Sequence, residues 1–380
     1  MCEINDSFFQ LTMISLIQFI RKLYGFYPCR ANGADSIAFG IFLLSELITI
    51  ALWVRRKLLK NKNRIYEQLG LEPKPEIARD SPLYKPQIIW ENVSLFGIAH
   101  LVGMYGFYLV FTSAKWQTGV YCYLLHLCCL YTIPGGVHRL YAHRAFKASK
   151  LYEIVVMILH TTLLQNDIIH WARDHRCHHK FVDTDADPYS AKRGLFFSHC
   201  GWLLMERHPD NIRQGKKIDV SDLKSNPVLR FQRDYYPWLV ILFNVLLPPL
   251  VPMLFWDERP CTAYFVAGPA CWILSLNCTW FINSIAHYGI LGEQPYNKKM
   301  SPVDLPIWYN LITVGEADHN FHHCFPTDYY SSERRSIFHL AGNAIKLFSL
   351  VGLTYDLKVT SPGLIERTKQ RNGFEPSLTY

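Results

Sequence analysis

VYCYLLHLCCLYTIPGGVHRLYAH, residues 120–143, carries a membrane-length apolar segment straight into two histidines, His138 and His143. A run of about 20 apolar residues is long enough to cross a bilayer. Pro134-Gly135-Gly136 is expected to end this span, because proline lacks a backbone donor and glycine is a poor helix former. The same juxtaposition recurs along the chain. H-R-C-H-H, with His175, His178 and His179, precedes a third apolar segment, while His287 and H-N-F-H-H, with His319, His322 and His323, follow a fourth. The four segments cover approximately residues 88–111, 120–137, 237–255 and 263–286. A fifth candidate, residues 37–54, holds Glu46 near its centre. A carboxylate there costs about 2.5–3.5 kcal/mol on insertion scales, which sets this segment apart from the other four.

Half of the 380 residues are hydrophobic, and they are clumped rather than periodic. The chain therefore reads as an all-α integral membrane protein of four transmembrane helices, with a candidate fifth near the N-terminus and a helical cap outside the bilayer. Two hairpins of spans return the chain to the side it left, so all nine clustered histidines face one compartment. The loop of about 100 residues between the second and third spans is too long to lack structure. It should contain helices, one of them near residues 152–164. The N-terminal Met-Cys-Glu-Ile-Asn-Asp has no basic region, so no cleavable signal peptide is expected. If residues 37–54 span, Arg55-Arg56-Lys57 anchors their cytosolic end, and the sequon Asn5-Asp6-Ser7 is lumenal.

The net charge of +8 is concentrated in that long loop, at Arg139, Arg144, Lys147, Lys150, Arg173, Arg176, Lys180, Lys192 and Arg193 among others. By the positive-inside rule the loop is cytosolic, and its basic face suits anionic membrane lipid. Nucleic acid is a poor partner, because the charge is diluted among carboxylates and tied to the membrane. The eleven cysteines show no C-x-x-C pair, so they read as reduced thiols packed like small hydrophobes.

Imidazole is a common ligand for Fe, Zn, Cu and Ni. Nine clustered imidazoles exceed what a single four-coordinate zinc takes, so the count points to two metal ions. His175, His178 and His179 stand at i, i+3, i+4, as do His319, His322 and His323, and such residues share a helix face. Asn283 and His287 are likewise i, i+4. His138 and His143, five apart, fit two ligands on one helix reaching different metals. The remaining histidines, His100, His126, His160, His170, His199, His208 and His339, read as core or interfacial residues.

These motifs resemble those of the membrane fatty acyl-CoA desaturases, especially the stearoyl-CoA (delta-9) type. The matching stretches are H-R-L-Y-A-H-R at 138–144, W-A-R-D-H-R-C-H-H-K-F at 171–181, T-D-A-D-P at 184–188, R-G-L-F-F-S-H-C-G-W-L-L at 193–204, N-S-I-A-H at 283–287 and H-N-F-H-H-C-F-P-T-D-Y at 319–329. The likeness covers residues 85–360, leaving 1–84 as an N-terminal extension and 361–380 as a tail. It implies a cytosolic helical cap holding two iron ions (Fe2+) at the endoplasmic reticulum membrane. It implies O2-dependent desaturation of long-chain acyl-CoA, with a cis double bond at delta-9. Electrons would come from cytochrome b5 and its NADH-dependent reductase, and the donor would be separate because the chain has no haem-binding H-P-G-G module. The family's metal ligands match His138, His143, His175, His178, His179, His287, His319, His322 and His323, and Asn283 matches the residue that holds an iron-bound water. The bend of the family's acyl tunnel matches Gln165, Asn166, Trp171, Thr279 and Trp280. Coenzyme A contacts match Asn92, Arg173 and Asp174. A neighbouring basic pair reads Glu206-Arg207 here, leaving Arg207 as the expected phosphate contact.

One departure lies beside the third histidine motif, where relatives read Gly-Glu-Gly-aromatic and this chain has Gly315-Glu316-Ala317-Asp318. Asp318 is expected either to accept a hydrogen bond from a ligand histidine or to face the cytosol. It also keeps two alternatives open: a di-iron desaturase or hydroxylase acting at another position or on another lipid, and a lipid-binding pseudo-enzyme.

Overall fold

The computed structural model describes residues 86–373. The candidate fifth span at 37–54 and the sequon at Asn5 lie outside them. Among the described residues four helices are long and apolar enough to cross a membrane. α1 (Trp90–Thr112) and α2 (Trp116–Ala142) form one hairpin. The cap begins with α3 (Lys150–Thr162) and α4 (Ile168–Phe181), each started by a side chain accepting from a backbone N–H: Ser149 from Tyr152, and Asp167 from His170. α5 (Tyr236–Trp256) and α6 (Pro260–His287) form the second hairpin. α7 (His319–Cys324), α8 (Leu340–Leu350) and α9 (Pro362–Arg371) follow.

α6 is the most enclosed span and packs against both α1 and α2. Gly106 permits that approach: a side chain there would run into the backbone carbonyl of Phe265. The two hairpin turns interlock at the end of the bundle away from the histidines. Thr118 Oγ1 and the Lys115 backbone N–H donate to one Glu258 carboxylate oxygen at 2.6 and 2.8 Å. Lys115 Nζ donates to the carbonyls of Trp256 and Asp257, each at 2.7 Å.

α2 does not end at Pro134-Gly135-Gly136. Residues Ile133–Ala142 continue it in π-helical form. Pro134 lies inside this continuous helix, where its ring removes one ordinary helical bond and the winding widens. Tyr152 donates its hydroxyl proton to the Gly135 carbonyl at 2.9 Å, which takes up one acceptor of the widened turn. A second π stretch, Val266–Ala270, surrounds Pro269 in α6, where the ring removes an ordinary helical bond.

The cap closes over α2. Strands β1 (Lys147–Ala148) and β2 (Thr354–Tyr355) pair antiparallel. They bring α8 beside α3, and an apolar cluster including Val137, Val156, Ile168, Leu229 and Ile345 fills the space beneath. Ile365 of α9 packs on Tyr296, Phe321 and Phe325, so the last helix supports α7. Eight of the nine described cysteines, Cys122, Cys128, Cys129, Cys177, Cys200, Cys271, Cys278 and Cys324, are free thiols; Cys261 is disulfide-bonded, against the expectation of reduced thiols throughout.

Candidate metal centre

α2, α4, α6 and α7 bring nine imidazoles to one place just beyond the bilayer end of the bundle. They fall into two sets, and within each set one nitrogen per ring lies within 4.8 Å of all the others. The first is a pentad of His138, His143, His175, His179 and His322; the second is a tetrad of His178, His287, His319 and His323. Each i, i+3, i+4 trio divides. The i, i+4 pair His175/His179 joins the pentad while His178 crosses to the tetrad; His319/His323 joins the tetrad while His322 crosses back. The two sets touch, with the His179 and His323 rings stacked at 4.1 Å between centroids.

His138 and His143 belong to the same set, not to two. The π winding is the reason. The His143 N–H donates to the His138 carbonyl at 3.0 Å, an i→i+5 bond that places residues five apart one turn above each other. In an α-helix they would diverge.

The outward nitrogens are held by neighbouring groups. His138 Nδ1 lies 3.2 Å from Glu316 Oε1, His178 Nδ1 2.9 Å from Asp187 Oδ1, His175 Nδ1 3.3 Å from the Tyr189 hydroxyl, and His287 Nδ1 2.9 Å from Ser301 Oγ. A carboxylate only accepts, so Glu316 and Asp187 fix the Nδ1–H tautomer and turn an Nε2 lone pair inward. Sequence reasoning missed these orienting groups, although Glu316 and Asp187 sit inside the motifs at 315–318 and 184–188. Their residue types marked them as acids; only their placement marks them as partners of histidine.

Inside the sets the ring nitrogens converge. Nε2 of His138 and His322 are 2.8 Å apart, those of His143 and His175 2.9 Å, and those of His179 and His322 2.9 Å. In the tetrad the buried Nε2 atoms of His287 and His323 have no protein partner. Burial, reinforced by neighbouring imidazoles, holds His143, His175, His179, His322 and His323 well below the ordinary histidine range. Burial lowers His319 to about 3. These six rings are therefore neutral donors at physiological pH, the form that ligates metal. Converging neutral lone pairs repel unless a cation lies among them, so the donor set fits bound metal in both positions. Five and four nitrogens suit several transition ions.

Comparison with known proteins agrees with this geometry. Residues 114–335 match the fatty acid desaturase family model. The chain belongs to the fatty acid desaturase family. It is 45% identical over 294 residues to the Delta(9)-fatty-acid desaturase fat-7 of Caenorhabditis elegans, covering 77% of this chain and 86% of that one. It is 44% identical to an Acyl-CoA Delta12-desaturase of Acheta domesticus, covering 76% and 81%. It is 40% identical to Stearoyl-CoA desaturase 5 of Bos taurus, covering 76% and 85%. The chain is thus a multi-pass membrane desaturase.

The other residues singled out in the desaturase sequence have the following surroundings. Trp171 stacks on His175 at 5.0 Å. Gln165 Nε2 donates to Thr279 Oγ1 at 3.0 Å across α3–α4 and α6. Asn166 adopts a left-handed φ of 66°, at the turn between α3 and α4. Trp280 packs against Phe96, His100 and His199. Asn283 is half-buried one turn before His287. Asn92 donates to the Leu203 carbonyl. Asp174 takes Arg173 and Arg207, each at 2.6 Å. Burial alone would raise its carboxyl, but Arg207 and His170 hold it well below the usual range.

Asp318 matches neither expectation. It is buried, so it does not face the cytosol. Its partner is Arg334, and its other oxygen and the Nδ1 of His319 remain without partners.

Proposed function

We propose that this protein is an endoplasmic-reticulum acyl-CoA desaturase that inserts a cis double bond near C9–C10 of C16–C18 acyl-CoA. The cap would face the cytosol, where the basic loop favours that side. The observation that carries the reading is the pair of converging, largely buried imidazole sets at the end of the bundle. The pentad and tetrad would each hold one iron ion, with Asn283 beside the tetrad positioning a water. Bound iron would supply the oxidising power, drawn from O2, that unactivated C–H bonds require; zinc has no redox chemistry.

Removing two hydrogens while reducing O2 to two waters needs two further electrons and two protons. We assign these electrons to cytochrome b5 and its NADH-dependent reductase. The chain's own residues do the rest by position. An alkyl chain offers no polar handle, so only the shape of its channel selects the carbon that reacts. Trp171 against His175, and the Gln165–Thr279 bond with Asn166 and Trp280 nearby, would set that bend. Arg173, Asp174, Arg207 and Asn92 would hold the coenzyme A end.

The Delta12 name of the Acheta domesticus relative shows that similarity of this order accompanies more than one bond position. Expression in a desaturase-deficient host, with double bonds mapped in the lipids, tests the reading. A delta-9 monoene is expected. Another isomer would overturn the position, and a hydroxylated product or no product would overturn the reaction.

A further inference from the structure

Two carboxylates stand behind the histidines, one behind each set. Glu316 is 2% exposed. Its Oε1 lies 3.2 Å from His138 Nδ1 and 2.8 Å from Arg139 Nη2. Arg139 is fully buried and also donates to the Gly315 and Tyr329 carbonyls at 2.6 and 3.1 Å. Asp187 is also 2% exposed. Its Oδ1 lies 2.9 Å from His178 Nδ1 and accepts the Tyr189 N–H at 3.1 Å, while its Oδ2 accepts the Asp183 N–H at 3.1 Å. Among the described residues no lysine or arginine pairs with Asp187, whereas Glu316 shares its charge with Arg139.

The division follows the metal positions. His138 belongs to the pentad and His178 to the tetrad. Each carboxylate hydrogen-bonds to one ring of one set, while Glu316 also acts on His319 of the other set through space. Neither is close enough to an inward nitrogen to be a ligand. Glu316 and Asp187 are instead tied to different elements of the cap: Glu316 to the π-wound end of α2 through Arg139, and Asp187 to the backbone of the turn after α4.

We propose that Glu316 and Asp187 are positioning residues that act on one metal position each, Glu316 on the pentad through His138 and Asp187 on the tetrad through His178. The proposal rests on the two-iron reading above. Each carboxylate locks its histidine in the Nδ1–H tautomer, aims the Nε2 lone pair inward and raises its basicity. Loss of such a partner typically lowers metal affinity by about 10–100-fold. Because tautomer and aim are set by the hydrogen bond, and each carboxylate bonds to one ring, the main loss falls on one position.

The test is iron stoichiometry and Mössbauer spectroscopy of purified protein loaded with 57Fe. Wild-type protein is expected to bind two irons giving two spectral components. Glu316→Ala and Asp187→Ala are each expected to keep one iron at wild-type affinity and to bind the other about 10–100-fold more weakly. The component that survives in Glu316→Ala must be the one lost in Asp187→Ala. Glu316→Ala leaves Arg139 buried without its partner and so threatens folding. Glu316→Gln keeps an acceptor for both His138 and Arg139, and is expected to retain both irons with only one component shifted. Loss of the same component in both alanine variants, or equal weakening of both positions in folded protein, would overturn the proposal. Wild-type protein that binds no iron would instead overturn the function reading beneath it.

Discussion

Arg334→Ala and Asp318→Ala remove opposite ends of one ion pair, yet they should not do equal damage. Asp318 is 2% exposed, while the Arg334 side chain is 41% exposed. Deleting Arg334 strands a carboxylate in the protein interior beside His319. Breaking a buried pair this way costs about 3–5 kcal/mol. The partial exposure of Arg334 places the expected loss near the lower end, about 3 kcal/mol. Deleting Asp318 lets the guanidinium turn to water, and it keeps its bond to the Leu305 carbonyl at 2.8 Å. That loss resembles a solvent-screened pair, about 1 kcal/mol. The double variant no longer strands a charge, so it should lie close to Asp318→Ala, with a coupling of about 3 kcal/mol. Thermal unfolding of iron-loaded protein in detergent reads the order. Arg334→Ala should melt lowest, and removing Asp318 as well should raise its melting temperature. If Asp318→Ala melts as low as Arg334→Ala, or the double variant lower than either, the burial argument is wrong.

Other perturbations probe the centre and the bundle. His178→Ala and His322→Ala should each abolish desaturation and lower bound iron, whereas His208→Ala, outside both sets and capping the Asp210 N–H, should leave both unchanged; product analysis by gas chromatography and metal analysis decide. Burial raises the Asp304 carboxyl to about 7, above an unfolded value of about 3.9. Its contribution is therefore fully present below pH ~4 and is lost as pH rises through 7. Melting temperature should fall across that window in wild type and fall less in Asp304→Asn. Glu258→Ala removes the acceptor shared by Thr118 and Lys115 and should destabilise the protein by about 1–3 kcal/mol, read as a lower melting temperature with unchanged iron content. Thr279→Val deletes the Gln165 acceptor and should redistribute double-bond position among products; unchanged regiochemistry would remove that bond from the selecting set.

The sequence by itself determined the four spans, the number of histidines and the family. These are local properties: a run of apolar residues is counted along the chain, and i, i+3, i+4 spacing fixes a helix face wherever the helix goes. It did not determine how nine rings divide between two positions. His178 and His179 are neighbours in the chain but about 100° apart around α4, so each faces whichever partner helix packs on its side. His322 and His323 separate in the same way on α7. His138 and His143 unite because α2 continues past Pro134 with π winding; packing beneath Tyr152 and Val156 carries the helix through a Pro-Gly-Gly sequence that by itself reads as an end. The groups that hold the rings were equally invisible. Glu316 meets Arg139 and His138 across 177 and 178 residues of chain, and Asp318 finds Arg334 rather than the histidine beside it. Only the closed fold brings those charges together, because buried polar atoms take whatever partner packing delivers to them.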